Sequence, residues 1–170
     1  TVVTNLWQAL RDGLRAAWAS VARFRFYLAI VLAFIAGSAQ LVRVLPDWAM
    51  YQLLGLPVTL FALTQLLGLQ LTIRPEHRRR AELLIGSFAG FVGGLSGVWG
   101  PPTVAYLTAL DTPKGEQMRV QGVIYGAGAV VLMFAHLRSG VLNAQTAPLS
   151  AALILPALLG VALGFRLGDR

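Results

Sequence analysis

The chain has 170 residues, 56% of them hydrophobic and only 12% charged, with a net charge of +7 and a mean hydropathy of +0.68. An ordinary soluble domain is about 25% charged, so these charges cannot coat the chain against water, and a lipid bilayer must solvate much of its surface. The same numbers exclude intrinsic disorder, and the absence of cysteine excludes a disulfide scaffold, a thiolate metal site and a cysteine nucleophile.

The basic excess does not point to nucleic acid. All charges fall in short clusters between five uncharged runs, 26–42, 48–73, 83–110, 120–137 and 139–165. A membrane helix needs about 20 predominantly apolar residues, and each run is near or above that length. Basic residues at the ends of such runs set topology and meet lipid headgroups, whereas nucleic acid would require a basic stripe on a water-soluble fold. The expected fold is all-α, a single transmembrane domain over 1–170 in a polytopic integral membrane protein.

The first residues, Thr1 to Thr4, read as the tail of a longer chain. Within 1–25, Trp7, Leu10, Leu14, Trp18 and Val21 alternate with Arg11, Arg15, Arg23 and Arg25. This pattern predicts an amphipathic, cationic segment lying in the membrane interface. It is not a signal peptide, because the apolar run follows the charged region without a small-residue cleavage site.

Residues 26–73 hold the two helices of a first repeat. The run from Phe26 to Val42 ends at a turn where Pro46 stops one helix and Asp47 caps the next. The run from Trp48 to Ile73 returns the chain, with a kink expected at Pro57. The following loop, Arg74 to Arg80, is the most basic stretch, and His77 within it reads as a solvated side chain.

Residues 83–110 are the informative segment. A continuous helix of that length would run roughly 42 Å, beyond a hydrocarbon core of about 30 Å. Its centre carries Gly93, Gly94, Gly97 and Gly100, followed by Pro101 and Pro102, which disfavours unbroken helix. Two half-helices, about 83–94 and 102–110, are expected around an irregular stretch. Non-helical backbone survives in a bilayer only where protein buries it or it lines a wet cavity.

Lys/Arg counting compares two topologies. If the segment crosses, with the N-terminal region cytoplasmic, nine Lys/Arg are inside and five outside. If it re-enters as a hairpin, Lys114, Arg119, Arg166 and Arg170 move inside and Arg138 moves out, giving twelve against two. The positive-inside rule favours the hairpin. About four full crossings plus a broken re-entrant pair result, with the second-repeat helices over 119–167. The run Phe26–Leu45 echoes Leu153–Arg170, and under the hairpin topology the two cross in opposite directions, as inverted repeats of transporters do.

An interrupted helix presents backbone N–H groups and a positive dipole end to an anion. Ser96 and Thr103 add hydroxyls, and Trp99 and Tyr106 offer an indole N–H and a phenol O–H. Gln121 lies one turn from Tyr125 on the following helix. Arg119 either attracts anions or snorkels to the interface. Glycines 90, 93, 94 and 97 have a competing reading as close-packing positions, and Gly122, Gly126 and Gly128 are expected to pack against the hairpin. No Asp or Glu lies in any of the five runs, so neither a carboxylate metal site nor any cofactor is expected. His136 is the sole histidine in a run, too few groups for a membrane-embedded enzyme.

The stretch from Gly90 to Leu107, GFVGGLSGVWGPPTVAYL, resembles the second-half glycine motif of the TauE/SafE family of sulfite and organosulfonate exporters, also called the toluene-sulfonate uptake permease family. That family typically reads G-x-x-G-G-x-x-G-x-G-G-P-P there, so Trp99 stands where a glycine is usual. Weaker similarity extends over most of the chain: Asn5-Leu6 looks like the loop after the family's second helix, and Arg119 like the residue opening the helix after the motif. The likeness is to the middle portion of such a transporter, with a first-half glycine motif and one further helix lying outside it.

The resemblance implies secondary transport of a small anion, sulfite, a sulfonate or a related organosulfur anion, across the bacterial inner membrane. The anion would bind along 93–103, with Gly93, Gly94, Ser96, Gly97, Trp99, Gly100, Pro101, Pro102, Thr103, Tyr106, Arg119 and Gln121 as the substrate-binding set. The proton is the candidate coupling ion, although none of the five runs supplies a carboxylate to carry it. The alternative is a noncatalytic membrane subunit or an incomplete piece of such a transporter.

Overall fold

The computed structural model describes residues 2–68, 72–140 and 147–168. Those residues form helices and turns with no strand. The helices are α1 (Val2–Leu10), α2 (Leu14–Arg23), α3 (Arg25–Ser38), α4 (Asp47–Leu66), α5 (Arg78–Ser96), α6 (Gly100–Ala109), α7 (Lys114–Ser139), α8 (Ala147–Ala152) and α9 (Ile154–Gly168).

Local chemistry sets the breaks. Gly13, at φ +91°, separates α1 from α2. At Phe24 the chain bends by 81° between α2 and α3. Pro46 precedes α4, and α4 then runs without interruption across position 57, where a kink was expected. Apolar helices tolerate such a proline when neighbouring groups satisfy the freed carbonyl.

Among the described residues one helix is long and apolar enough to cross a membrane, Lys114–Arg138 within α7, with a mean hydropathy of 1.7. The α2–α3 pair passes the same test jointly across its bend, and Trp48–Thr64 and Ile154–Gly164 are shorter apolar helices. About four full crossings were expected, so three of the expected runs form helices shorter than their uncharged sequence. The first stops at Ser38 and a 3-10 turn over Leu41–Arg43 follows. In the last run, 141–146 lie outside the described residues.

The solvation pattern is that of a membrane protein. Leu14, Trp18, Tyr51, Leu84 and Leu155 are each at least 70% exposed, whereas Ser38, Glu82 and Thr103 are buried. A soluble domain rarely buries a glutamate while exposing so many large apolar groups.

Two glycine-mediated helix contacts hold the bundle. In α5, Gly86, Gly90 and Gly94 face α3. A Cβ on Gly90 would lie 2.5 Å from the Val31 carbonyl oxygen, and one on Gly94 would overlap Ser38 Oγ and come within 2.7 Å of the Ile35 oxygen. Ser38 Oγ bridges the pair, donating to Phe34 O at 2.8 Å and lying 3.3 Å from Gly90 O. In α7, a Cβ on Gly122 would lie 2.5 Å from Ala9 N, and Gly126 faces Asn5 and Leu6. Gly122 and Gly126 thus pack against α1 and not against the broken segment, as had been expected; Gly128 alone meets that segment. The reason is that α1, read as an interfacial segment, lies along α7 with Thr4 and Ala9 buried.

Charged residues gather at one end of the bundle. Arg23 pairs with Glu116 at 2.6 Å and Arg119 with Asp12 at 2.7 Å, joining α2 and the α1–α2 turn to the start of α7. Arg78 donates to the Arg23 carbonyl at 3.1 Å and to Glu82 at 3.0 Å. The arginine-rich regions 11–25, 74–80 and 114–119 therefore meet at the same end.

These contacts generate a stability prediction. Gly90→Leu, forced against α3 backbone, lowers stability by at least about 1–3 kcal/mol. Gly37→Ala, where an added Cβ meets nothing within 4 Å, leaves stability unchanged or raises it by up to about 1 kcal/mol. Thermal unfolding of the detergent-solubilised protein, followed by its helical signal, measures both.

Candidate functional site

The break between α5 and α6 is three residues long, 97–99. The irregular stretch expected between half-helices of about 83–94 and 102–110 is therefore shorter in the structure. Helix α5 continues through Gly93, Gly94 and Ser96 because contacts with α3 offset the glycines' conformational cost. Helix α6 starts at Gly100, and Pro101 and Pro102 occupy its first turn, where a missing N–H forfeits no intrahelical bond.

Gly97 makes the turn. It takes the left-handed conformation at φ +72°, and its N–H donates to Gly93 O at 2.7 Å, an ending that glycine favours. Ser96 Oγ donates to Val92 O at 2.7 Å and accepts the Val98 N–H at 3.0 Å, closing the turn locally. Gly97 and Val98 are exposed at the apex.

Trp99 folds inward and is 6% exposed. Its ring fills the space that a side chain at Gly93 would need, 2.6 Å from an added Cβ, and its far edge lies against Gly128 of α7. Tyr125 of α7 sits beside it at 6.3 Å between ring centroids and donates its hydroxyl to Gly100 O at 3.2 Å. The Trp99 and Gly100 amides have no backbone acceptor among the described residues, leaving two N–H donors at the positive end of α6.

After the apex, α6 doubles back along α5. Ile73 N, before α5, donates to Ala109 O, the last residue of α6, at 2.9 Å. Near the same end Tyr106 Oη donates to Glu82 Oε1 at 2.7 Å. The segment is a helical hairpin with both ends among the arginines. From Glu82 to Gly97 is about 22 Å along α5, so the apex lies well away from the charged end.

The twelve expected binding residues do not all come together. Gly93, Ser96, Gly97, Trp99, Gly100, Pro101 and Pro102 surround the apex. Gly94 is taken up by the α3 contact. Thr103 and Tyr106 lie lower on α6, both fully buried and facing α3. Thr103 Oγ1 donates to Trp99 O at 2.8 Å and lies 3.1 Å from Tyr27 Oη, and the Tyr27 and Tyr106 rings stack at 4.4 Å with 3° between planes. Arg119 sits at the charged end, bound to Asp12 and to Ser20 Oγ at 3.0 Å. Nine residues, roughly 13 Å of helix, separate it from Gly128. Gln121 lies one turn below Tyr125, half-buried.

Sequence reasoning missed Glu82. It immediately precedes the uncharged run 83–110 and is 4% exposed, receiving Arg78 Nε at 3.0 Å and the Tyr106 hydroxyl. Partial burial alone would lower the Arg78 pKa, but the hydrogen bond and charge of Glu82 outweigh it and the net shift is upward. Glu82 was legible as position i+4 to Arg78 and as the start of the Glu82–Gly86–Gly90 spacing that faces α3.

Two apolar grooves also mark the surface. One, of about 430 Å³, lies between α1–α3 and α7 and includes Leu10, Leu32 and Val130; the other lies between α3 and α5 around Phe34 and Phe91. None of the twelve residues lines either groove.

Comparison with known proteins agrees with the motif. No curated relative and no solved structure matches the chain. The sequence model of the sulfite exporter TauE/SafE family matches residues 1–170, the full length given. A helical hairpin built on that glycine–proline motif and a match over the whole chain lead to one conclusion: the protein belongs to the sulfite exporter TauE/SafE family.

Proposed function

We propose that this chain carries sulfite or a related organosulfur anion across the bacterial inner membrane, and that the anion is received at the apex of the α5–α6 hairpin. The observation that carries the reading is the return of α6 to the charged end, fixed by Ile73 and Ala109. It sets the interrupted backbone at the end of the hairpin away from the charged end, where two unengaged amides and the positive end of α6 lie together. Backbone of that kind at membrane depth is found where protein buries it or where it lines a wet cavity, and its donors suit an oxyanion better than a cation.

The same return supports a re-entrant segment. With 11–25, 74–80 and 114–119 gathered at one end, that end is the cytoplasmic one by the positive-inside rule. The inverted-repeat reading draws support from exchanged packing: α1 packs on α7 and α9, and α7 packs on α1 and α3.

Two experiments test the proposal. In single-cysteine variants, which have no native thiol to mask, Arg79→Cys and Lys114→Cys label from the same face of inverted vesicles and Arg138→Cys from the other. Labelling of Arg79 and Lys114 positions from opposite faces overturns the re-entrant topology. In proteoliposomes, Gly100→Leu reduces sulfite flux at least tenfold because its side chain must displace Tyr125. Gly100→Ala, whose Cβ would meet Tyr125 Oη at 3.5 Å, stays near the parent. Trp99→Gly extends the range to bulkier sulfonates. Absence of flux for every anion from well-folded protein favours a noncatalytic subunit or an incomplete transporter.

A further inference from the structure

Glu82 is a buried carboxylate with two partners, one on its own helix and one on α6. Arg78, on its own helix, is half-buried and leads to the charged surface. Tyr106, on α6, accepts no other role: its ring is sandwiched between Tyr27, stacked at 4.4 Å, and Phe24, edge-on at 6.4 Å, and its hydroxyl ends on Glu82. Tyr27 continues the chain of contacts to Thr103, and Thr103 to Trp99 at the start of α6. A continuous path of contacts therefore runs from the charged end, through one buried carboxylate, to the start of α6.

We propose that Glu82 is the proton-binding site of this protein and that its ionisation latches the hairpin. The ionised carboxylate accepts the Tyr106 hydroxyl and holds α6 against α5. A proton arriving from the charged end beside Arg78 converts it to the neutral acid. That removes the charge-assisted hydrogen bonds, which are about twice as strong as neutral ones, and frees α6 to shift at the apex. Arg78 is the ion-pair partner of Glu82, Arg23 is engaged by Glu116, and Tyr27 and Tyr106 carry no charge near neutrality. Along α4, positions 48–66 contribute no charged side chain, and Glu76 and His77 lie exposed in the loop ahead of α5. A role for this latch in transport rests on the transport reading above; the latch itself is read without flux.

The test uses Val98→Cys, an exposed apex position, in the otherwise cysteine-free full chain in liposomes. Labelling by a water-soluble maleimide, normalised to the denatured protein at each pH, is expected to change about tenfold on acidification, the scale of one charge-assisted hydrogen bond. Glu82→Gln and Tyr106→Phe each abolish that pH dependence, and Glu82→Asp restores part of it. Tyr106→Phe keeps the stacked ring, so it decides the matter if Glu82→Gln does not fold. An unchanged pH dependence in either variant, or none in the parent, overturns the proposal, as does an equal loss of labelling at every pH. Sulfite flux measured in the same liposomes separates the two readings. Glu82-dependent labelling without flux refutes transport and leaves the latch standing, whereas flux with pH-independent labelling refutes the latch alone.

Discussion

A chain that reverses direction in an apolar medium must satisfy its own backbone at the reversal, and much of this structure follows from that requirement. Gly97 adopts the left-handed turn, Ser96 returns both of its hydroxyl hydrogen bonds to the local backbone, and the two prolines remove donors that would otherwise lie unpaired. What remains unsatisfied is small and localised, the amides of Trp99 and Gly100. A loop that protects itself this thoroughly leaves its few open donors as its distinguishing chemistry.

The reversal also needs a wall to lean on. Helix α5 obtains it from α3 through glycines that admit backbone-to-backbone contact, and α6 obtains it from Tyr27 and Phe24 at the base of α3. Between helices in lipid the hydrophobic effect contributes little, so close packing and hydrogen bonds carry the association. Trp99 completes the arrangement from the other side, filling the gap between Gly93 and Gly128. The indole that departs from the family's usual glycine is thus matched by space on two helices.

Much of this was legible in the residues. The uncharged run 83–110 is too long for one helix and its glycines and prolines mark the break, so the hairpin and its place were readable before any coordinates. The extent of the break was overestimated because Leu95 and Ser96 were left out of the first half-helix and Gly100 and Pro101 out of the second, whereas packing of Gly93 on Trp99 and of Gly94 on α3 carries α5 further and the first turn of α6 accepts the prolines. The partners of Gly122 and Gly126 were not readable, since spacing on one helix says nothing of which neighbour occupies it. Glu82 escaped for a different reason. An inventory of uncharged runs excludes by construction the residue that bounds each run, and a boundary glutamate reads as solvated unless its spacing to the packing glycines is followed inward. Arg119 was read as either attracting anions or snorkelling to the interface because Asp12, 107 residues earlier in the chain, gives no hint of its pairing.

The buried carboxylate poses a last question, whether it acts on an anion at the apex by its field or by moving the helix. At about 22 Å and an effective dielectric of about 20, two unit charges interact by roughly 0.8 kcal/mol, less than a fourfold effect. The adjacent Arg78 guanidinium, at 3.0 Å from the carboxylate, reduces even that, because from the apex the pair is nearly a dipole. Field effects are therefore too weak to make Glu82 matter at the apex. A hydrogen bond to a stacked tyrosine on α6 acts instead on the position of that helix, and so does not fall off with the distance between charges. If ionisation at one end of this hairpin is felt at the other, the covalent and packed path through Tyr106, Tyr27 and Thr103 is the route that has the magnitude to do it.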